Sequence, residues 1–419
     1  MKENSETLLG GFKALDLTDE KGFLCGKILG DLGAEVIKIE KPGGDSSRKV
    51  GPFYHDTPDS QMSLYWFAYN TDKWGITLNL ESVEGKEIFK KMVEKADAVV
   101  ESFSPGYMDQ LGIGYSVLRV LNPRIIMTSI TPYGQEGPYK NFAANDMSVM
   151  AMGGWAYLCG ELEGTPVVTG FPQSFLCAAG DAAIGTLIAL YEREQSGLGQ
   201  QVDVSAQQSV VMDTREATPL WALNQKMAKR SSPYRIGLAK AGVQQRHLWP
   251  CKDGFVLWLS MGGMAGAKEN RVLIDWMASE SMASDFFKQM DWDRWDFHQA
   301  TTDFFDRLET EVGAFFLRHT KAELFEGAIK KNIILYPVSE VKDLMANVQL
   351  QHRGFWTEVE HPELGEKISY PGPFINLSET PLAEIRRAPL IGEHNVKIYQ
   401  EWLGFSKQYV IGLKQAGVI

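Results

Sequence analysis

The stretch Phe12–Glu40, FKALDLTDEKGFLCGKILGDLGAEVIKIE, decides the fold. Phe12–Thr18 reads as a buried strand, Leu24–Leu32 has helical spacing, and Glu35–Glu40 alternates as a second strand. Working outward, Gly75–Leu80 (GITLNL) is a third strand. Ser82 then caps an amphipathic helix, Val83–Ala96, with Glu84 in the first turn, where the helix dipole favours an acid. Ala98–Val100 returns to strand, a further helix ends near Leu121, and Arg124–Thr131 (RIIMTSIT) makes a fifth strand. Strands separated by helices of this length imply right-handed crossovers and a parallel sheet covered on both faces. The fold class is α/β.

Farther along, Phe175–Glu194 reads as a buried helix, and the turn SGLGQ leads into a short strand, Gln201–Ser205. Composition shifts after Leu223. The region 224–334 carries KRSSPYR, much of the Trp and Phe content and the acidic, aromatic stretch Asp291–Phe297, so it reads as a second domain. From Pro337 onward polar loops alternate with short strands, and a helix is expected around Asn395–Leu403.

The 53 acidic and 42 basic residues give a formal net charge of -11. Nucleic-acid and anionic-membrane binders normally carry a basic surplus, so neither partner is expected. The opening MKENSETLLGG has no apolar run like that of a signal peptide, and no uninterrupted apolar stretch reaches the roughly 18 residues of a membrane span. Cys25, Cys159, Cys177 and Cys251 are scattered without a CxxC pair, which argues against zinc and a disulfide framework. The expectation is a cytoplasmic protein with reduced thiols and no metal.

Local motifs narrow the chemistry only partly. The turn after the first strand, Thr18–Gly22, holds no GxGxxG, and its two acids would repel a pyrophosphate, which disfavours a dinucleotide-dependent oxidoreductase. There is no HExxH and no GxSxG. Asp181 interrupts the apolar run LCAAGDAAIG; it is either a pocket acid or a carboxylate bonded to a helix end or an arginine. Lys38, Lys41, Arg48 and Lys73 fall near strand ends, as phosphate ligands or as solvated surface.

Several stretches, taken in order, resemble the class III (CaiB/BaiF) CoA-transferases along nearly the whole chain. They are LGDLGAEVIKIEKPGGDSSR (Leu29–Arg48), NTDKWGITLNL (Asn70–Leu80), VVESFSPG (Val99–Gly106) and LNPRIIMTSITPYGQEGPY (Leu121–Tyr139). AMGG (Ala151–Gly154), LIALYEREQSGLGQQVDVS (Leu187–Ser205) and RRAPLIGEHN (Arg386–Asn395) complete the set. The resemblance implies an interlocked dimer in which each chain has a Rossmann-like large domain built from both termini, here 1–223 and 335–419, around a smaller middle domain, 224–334. It further implies CoA and acyl-CoA as substrates, with no permanently bound cofactor. The implied coenzyme contacts are Glu20, Lys21, Lys41, Lys73, Ser102 and Phe103. Lysines suit the phosphates of CoA, and an aromatic ring suits its adenine or pantetheine. A lysine common in the family after GPY is replaced here by Ala143, with Lys140 nearby.

The family's nucleophile is an aspartate that attacks the donor thioester and passes through a mixed anhydride and an aspartyl-CoA thioester. Counting from Pro166-Val167 and from Leu190 places that aspartate at Phe175, and a phenyl ring forms no anhydride. Asp181, six residues later, is the remaining carboxylate candidate. Three readings follow. The chain is the subunit of a heteromeric transferase whose homologous partner bears the catalytic aspartate, as in the succinyl-CoA:benzylsuccinate enzyme of anaerobic toluene breakdown. It is a homodimer that binds CoA thioesters without covalent catalysis. Or it is a non-enzymatic scaffold of the same fold.

Overall fold

A computed structural model describes residues 7–236 and 243–419. The opening Met1–Glu6, read above as part of a start without a signal peptide, lies outside the described residues. Two compact units are present. The larger draws on residues up to Trp155, on Val168–Pro219 and on Val348–Ile419; the smaller comprises Ala156–Val167 and Leu220–Asn347.

The larger unit is built on a six-stranded parallel sheet. Its strands are β1 (Lys13–Asp16), β2 (Glu35–Glu40), β3 (Lys73–Thr77), β4 (Ala98–Glu101), β5 (Ile126–Thr131) and β6 (Gln201–Ser205). They lie in the order β3-β2-β1-β4-β5-β6. The chain winds outward from β1 to β3, then returns to the other side of β1 at β4. In open parallel sheets of this kind, ligands bind beyond the carboxyl ends of the strands at such a reversal, here between β1 and β4. Five of the six strands have no exposed residue, as expected for strands covered on both faces, with β1, β2 and β3 only partly open at Lys13, Glu35 and Trp74; the outer strand β6 alone shows residues to solvent.

Ser82 caps the helix Val83–Val93, its hydroxyl accepting from Gly85 N at 3.0 Å, as the sequence predicts. The long helix Ser174–Ser196 packs against the sheet through Ala178, Ala179, Ala182 and Ala183, whose short side chains allow a close approach. Thr186 and Thr128 share a 2.7 Å hydrogen bond that ties the helix to β5. The helix is long and apolar enough to cross a membrane by length and composition alone. It is not the buried helix expected from its sequence: Ile184, Ile188 and Tyr191 are 57%, 62% and 73% exposed, and Asp181 lies in the same exposed stripe.

The edge strand β3 is closed by the C-terminal segment. His394 Nδ1 accepts from Gly75 N at 3.0 Å, and His394 N donates to Gly75 O at 2.9 Å. Asn395 Oδ1 accepts from Thr77 N and its amide donates to Thr77 Oγ1, both at 2.9 Å. PLIGEHN thus supplies the hydrogen bonds a further strand would have made, leaving no open edge there. The expected helix around Asn395–Leu403 is a wide π-helical turn, Lys397–Trp402, followed by an α-helix, Lys407–Gln415.

The smaller unit has a three-stranded antiparallel sheet, Leu248–Cys251, Gly254–Trp258 and Leu335–Pro337, covered by helices. Its core is aromatic: Trp249 and Trp258 meet Phe316 edge to face. The stretch Asp291–Phe297 buries Trp292 and Phe297 in that core.

Candidate functional site

The turn leaving β1 and the turn leaving β4 meet at the reversal of the sheet. Asp19 N donates to Ser102 Oγ at 2.9 Å, and the Ser102 hydroxyl donates to Asp19 Oδ1 at 2.7 Å. Asp19 also accepts from Lys21 N at 3.1 Å and pairs with the Lys21 ammonium. These bonds fix Glu20 and Lys21 at the carboxyl edge of the sheet. Enclosure and the neighbouring Asp19 raise the pKa of the Glu20 carboxyl, although one side of it is open to solvent.

Beside this turn lies a largely apolar cavity of about 460 Å³. Glu20 and Lys21 line one part of it; Tyr65, Tyr69, Phe171 and Phe175 line much of the rest. Its size is that of a site for a small molecule or one arm of a larger one. Phe175, the position expected to hold the nucleophile, is the second residue of the long helix and is 7% exposed. Asp181 sits outside this cavity on the exposed face of the helix.

A carboxylate that the sequence did not single out does reach the cavity. Asp146 Oδ1 accepts from Gln173 N, Ser174 N and Ser174 Oγ, each at 2.8 Å. It thereby caps the long helix and holds Phe175 in place. Asp146 is itself secured in the first turn of the helix Asp146–Met152, whose Asn145 and Ser148 form a capping box. The local capping signal is readable in the sequence, but the bond to a helix start some 28 residues away is not.

The basic residues expected near strand ends divide sharply. Lys41 is exposed at the end of β2, where Gly43 and Gly44 turn the chain with φ of +92° and +91°. A Cβ on Gly44 would stand 2.8 Å from Ile391, so that turn requires glycine. Lys38, Arg48 and Lys73, expected as phosphate ligands or as solvated surface, are neither, being buried in ion pairs. The Arg48 guanidinium makes a two-pronged pair with Glu40 at 2.6 and 2.7 Å and stacks 3.7 Å from the Trp66 ring centre. The Lys73 ammonium meets Phe23 O at 2.8 Å, Asn70 Oδ1 at 2.9 Å and Asp16 Oδ2 at 2.9 Å. With two hydrogen bonds, this ion pair and only 2% of the residue exposed, its ammonium is not presented to a coenzyme phosphate. The expectation of Lys73 as a side-chain contact to CoA is corrected accordingly.

Lys73, Asp16 and Lys38 form a charged triad beneath the β1 turn. Burial alone would raise the Asp16 carboxyl, but the two lysines outweigh it and bring it from 3.8 down to about 2. Burial lowers Lys73 to about 8 against the pull of Asp16. Lys38 reaches Thr18 O, so the triad anchors the turn that presents Glu20 and Lys21. Phe103, by contrast, packs partly buried against the hydrophobic core with its ring 5.0 Å from Tyr107, while its N–H donates to Glu101 Oε2 at 2.7 Å.

Known proteins fit this geometry. Residues 9–395 match the model of CoA-transferase family III. The subunit BbsE of succinyl-CoA:(R)-benzylsuccinate CoA-transferase from Thauera aromatica is 34% identical over 399 residues, covering 93% of each chain. The beta subunit of the succinyl-CoA–L-malate CoA-transferase of Chloroflexus aurantiacus is 30% identical over 418 residues, covering 98% of each. Among solved structures, a CaiB/BaiF family protein from Brucella suis superposes with a TM-score of 0.79 at 24% identity, over 94% of this chain and 99% of that one, a likeness of fold. The chain belongs to CoA-transferase family III, the CaiB/BaiF family.

Proposed function

We propose that this chain is one subunit of a heteromeric CoA-transferase that moves CoA from succinyl-CoA to a carboxylic acid. Its homologous partner supplies the nucleophilic aspartate. The observation that carries this reading is Phe175, an aromatic side chain at the head of the long helix in the wall of the cavity. On the partner, a carboxylate oxygen attacks the thioester carbonyl and expels CoA thiolate, leaving a mixed anhydride. The thiolate then attacks the aspartyl carbonyl and releases succinate. The acceptor carboxylate, in succinate's place, then attacks the aspartyl-CoA thioester and expels CoA thiolate, which attacks the acceptor's acyl carbonyl and frees the aspartate. Phe175 closes that route on this chain.

The coenzyme is assigned to the carboxyl edge of the sheet, with Glu20, Lys21 and Ser102 at the reversal and Lys41 at the end of β2. The aromatic lining by Tyr65, Tyr69 and Phe171 favours an acceptor with an aryl group, such as benzylsuccinate or another aryl-succinate. The exposed stripe Ile184, Ile188 and Tyr191, at i, i+4 and i+7 of the helix that begins beside the cavity, supports a partner subunit.

The test is transfer from succinyl-CoA by the purified chain, alone and after co-expression with a homologous chain bearing aspartate at the position of Phe175. Transfer is expected only from the pair. Full activity from the single chain ends the proposal.

A further inference from the structure

A second cavity, about 450 Å³, opens at the opposite edge of the same sheet. It is lined where β2 and β3 begin, by Ile37 and Trp74, and by Arg386, Lys397, Ile398 and Trp402 of the C-terminal segment. The length of β2, six residues, sets it about 17 Å from the carboxyl edge assigned to the coenzyme.

Two cations converge on Trp74. Lys397 Nζ lies 3.3 Å and Arg386 Cζ 4.1 Å from its ring centre. Among the described residues, no carboxylate lies within 4.0 Å of the Lys397 ammonium. Arg386 has an imperfect partner: Nη2 donates to Asp72 O at 3.1 Å, and Nε stands 3.9 Å from Asp72 Oδ1. Burial pushes that Asp72 carboxyl up to about 7, so near neutrality it offsets the guanidinium only in part. Burial also lowers the pKa of both cations, and Arg386 adds to the effect on Lys397. Acids offset the two charges only in part: Glu35 acts on both cations and Glu401 on Lys397, without forming an ion pair with either. Glu35 leans toward Lys13 at 3.7 Å, and Glu384 is exposed at the rim. Two incompletely paired cations that pack on one ring and line one cavity favour an anionic ligand there. Ile37, Ile398 and Trp402 offer an apolar floor beside that charge.

We propose that this cavity is a second ligand site, separate from the coenzyme edge, which takes a small organic carboxylate with an apolar body. The carboxylate pairs with Arg386 and Lys397, and the body lies on Ile37, Ile398 and Trp402. Nothing in the transfer reaction requires this site, so it stands whether or not the heteromeric reading holds.

Benzoate is the probe, titrated by calorimetry into the whole chain, with inorganic phosphate as the bare anion. Saturable benzoate binding is expected, weakened about tenfold or more by Lys397→Met and unchanged by Lys21→Met at the other edge. Phosphate should bind at least about tenfold more weakly, since it cannot use the apolar floor. A readout on the unaltered protein guards against a misfolded variant: benzoate should slow acetylation of Lys397, followed by peptide mass spectrometry. No saturation by about 10 mM benzoate, equal binding by Lys397→Met and the parent, loss in Lys21→Met, phosphate binding as tight as benzoate, or no protection of Lys397 would each overturn the proposal.

Discussion

Replacing Phe175 by Asp puts the expected nucleophile back at the head of the long helix and tests whether that position faces the thioester. The ring is 7% exposed and packs with Ala178, Ala179, Val149 and Met150 in the core while bordering the cavity. Truncating a buried phenylalanine costs about 3–5 kcal/mol, and the open cavity puts this site toward the lower end. The new carboxylate loses about 1–3 kcal/mol to desolvation and regains about 0.3–1 kcal/mol from the helix N-terminus, already occupied by Asp146. A net loss of about 4–5 kcal/mol is expected in urea unfolding, a third or more of the stability of an ordinary domain, so the variant should be assayed at low temperature. The functional assay is intact-mass spectrometry after incubation with succinyl-CoA. The parent chain should show no adduct, and Phe175→Asp should show a CoA adduct cleaved by hydroxylamine. A folded Phe175→Asp protein that binds CoA yet forms no adduct would refute the placement of this residue at the reacting centre. An adduct on the parent chain would show that the nucleophile lies elsewhere on it.

Three further perturbations follow from buried charge. Lys73→Met breaks one arm of the Asp16 triad and should cost about 3–5 kcal/mol in urea unfolding. It should also move acid unfolding to higher pH. Asp16 is depressed to about 2, so it contributes about 2 kcal/mol above its unfolded value of 3.8, and this is lost as pH falls from about 4 to 2. Glu101 has the opposite sign: burial raises its carboxyl from 4.5 to about 7, so stability declines by about 3 kcal/mol as pH rises from 4.5 to 7. Glu101→Gln should therefore match the parent near pH 4.5 and exceed it at pH 8, in paired denaturation curves. Asp146→Ala leaves the Gln173 and Ser174 donors without their acceptor and should cost about 1–3 kcal/mol; hydrogen exchange should quicken first at the start of the long helix.

The parallel sheet was legible because its strands are covered on both faces and so read as short apolar runs. Glu35–Glu40 and Gln201–Ser205 match the observed strands end to end. The third strand was read two residues late, as Gly75–Leu80 against Lys73–Thr77. Two tertiary effects moved it. Lys73 enters the strand only because Asp16 neutralises it, and the ladder ends early because Asn79 N turns to Val418 O at 2.7 Å. Sequence alone assigns a lysine to the surface until its partner, 57 positions away, is known. The same limit hid Asp146, whose function is a bond across the fold to the start of another helix.

The buried basic residues also show what shapes the turns of the site. Lys38, Arg48 and Lys73 are spent on Asp16 and Glu40, which hold the turns after β1 and β2. That leaves Lys21 and Lys41 at the carboxyl edge, one tied to Asp19 and the other exposed. Under the proposed placement, a coenzyme bearing several phosphate charges would meet few cations there among the described residues, and its adenine and pantetheine contacts would contribute more of the affinity. Phe175 then has a role beyond a missing carboxylate. It extends an apolar wall from Phe171 into the cavity and is held at the helix start by the Asp146 cap. Under the heteromeric reading proposed above, this capped, enclosed position would bind an acyl group while the partner performs the covalent step.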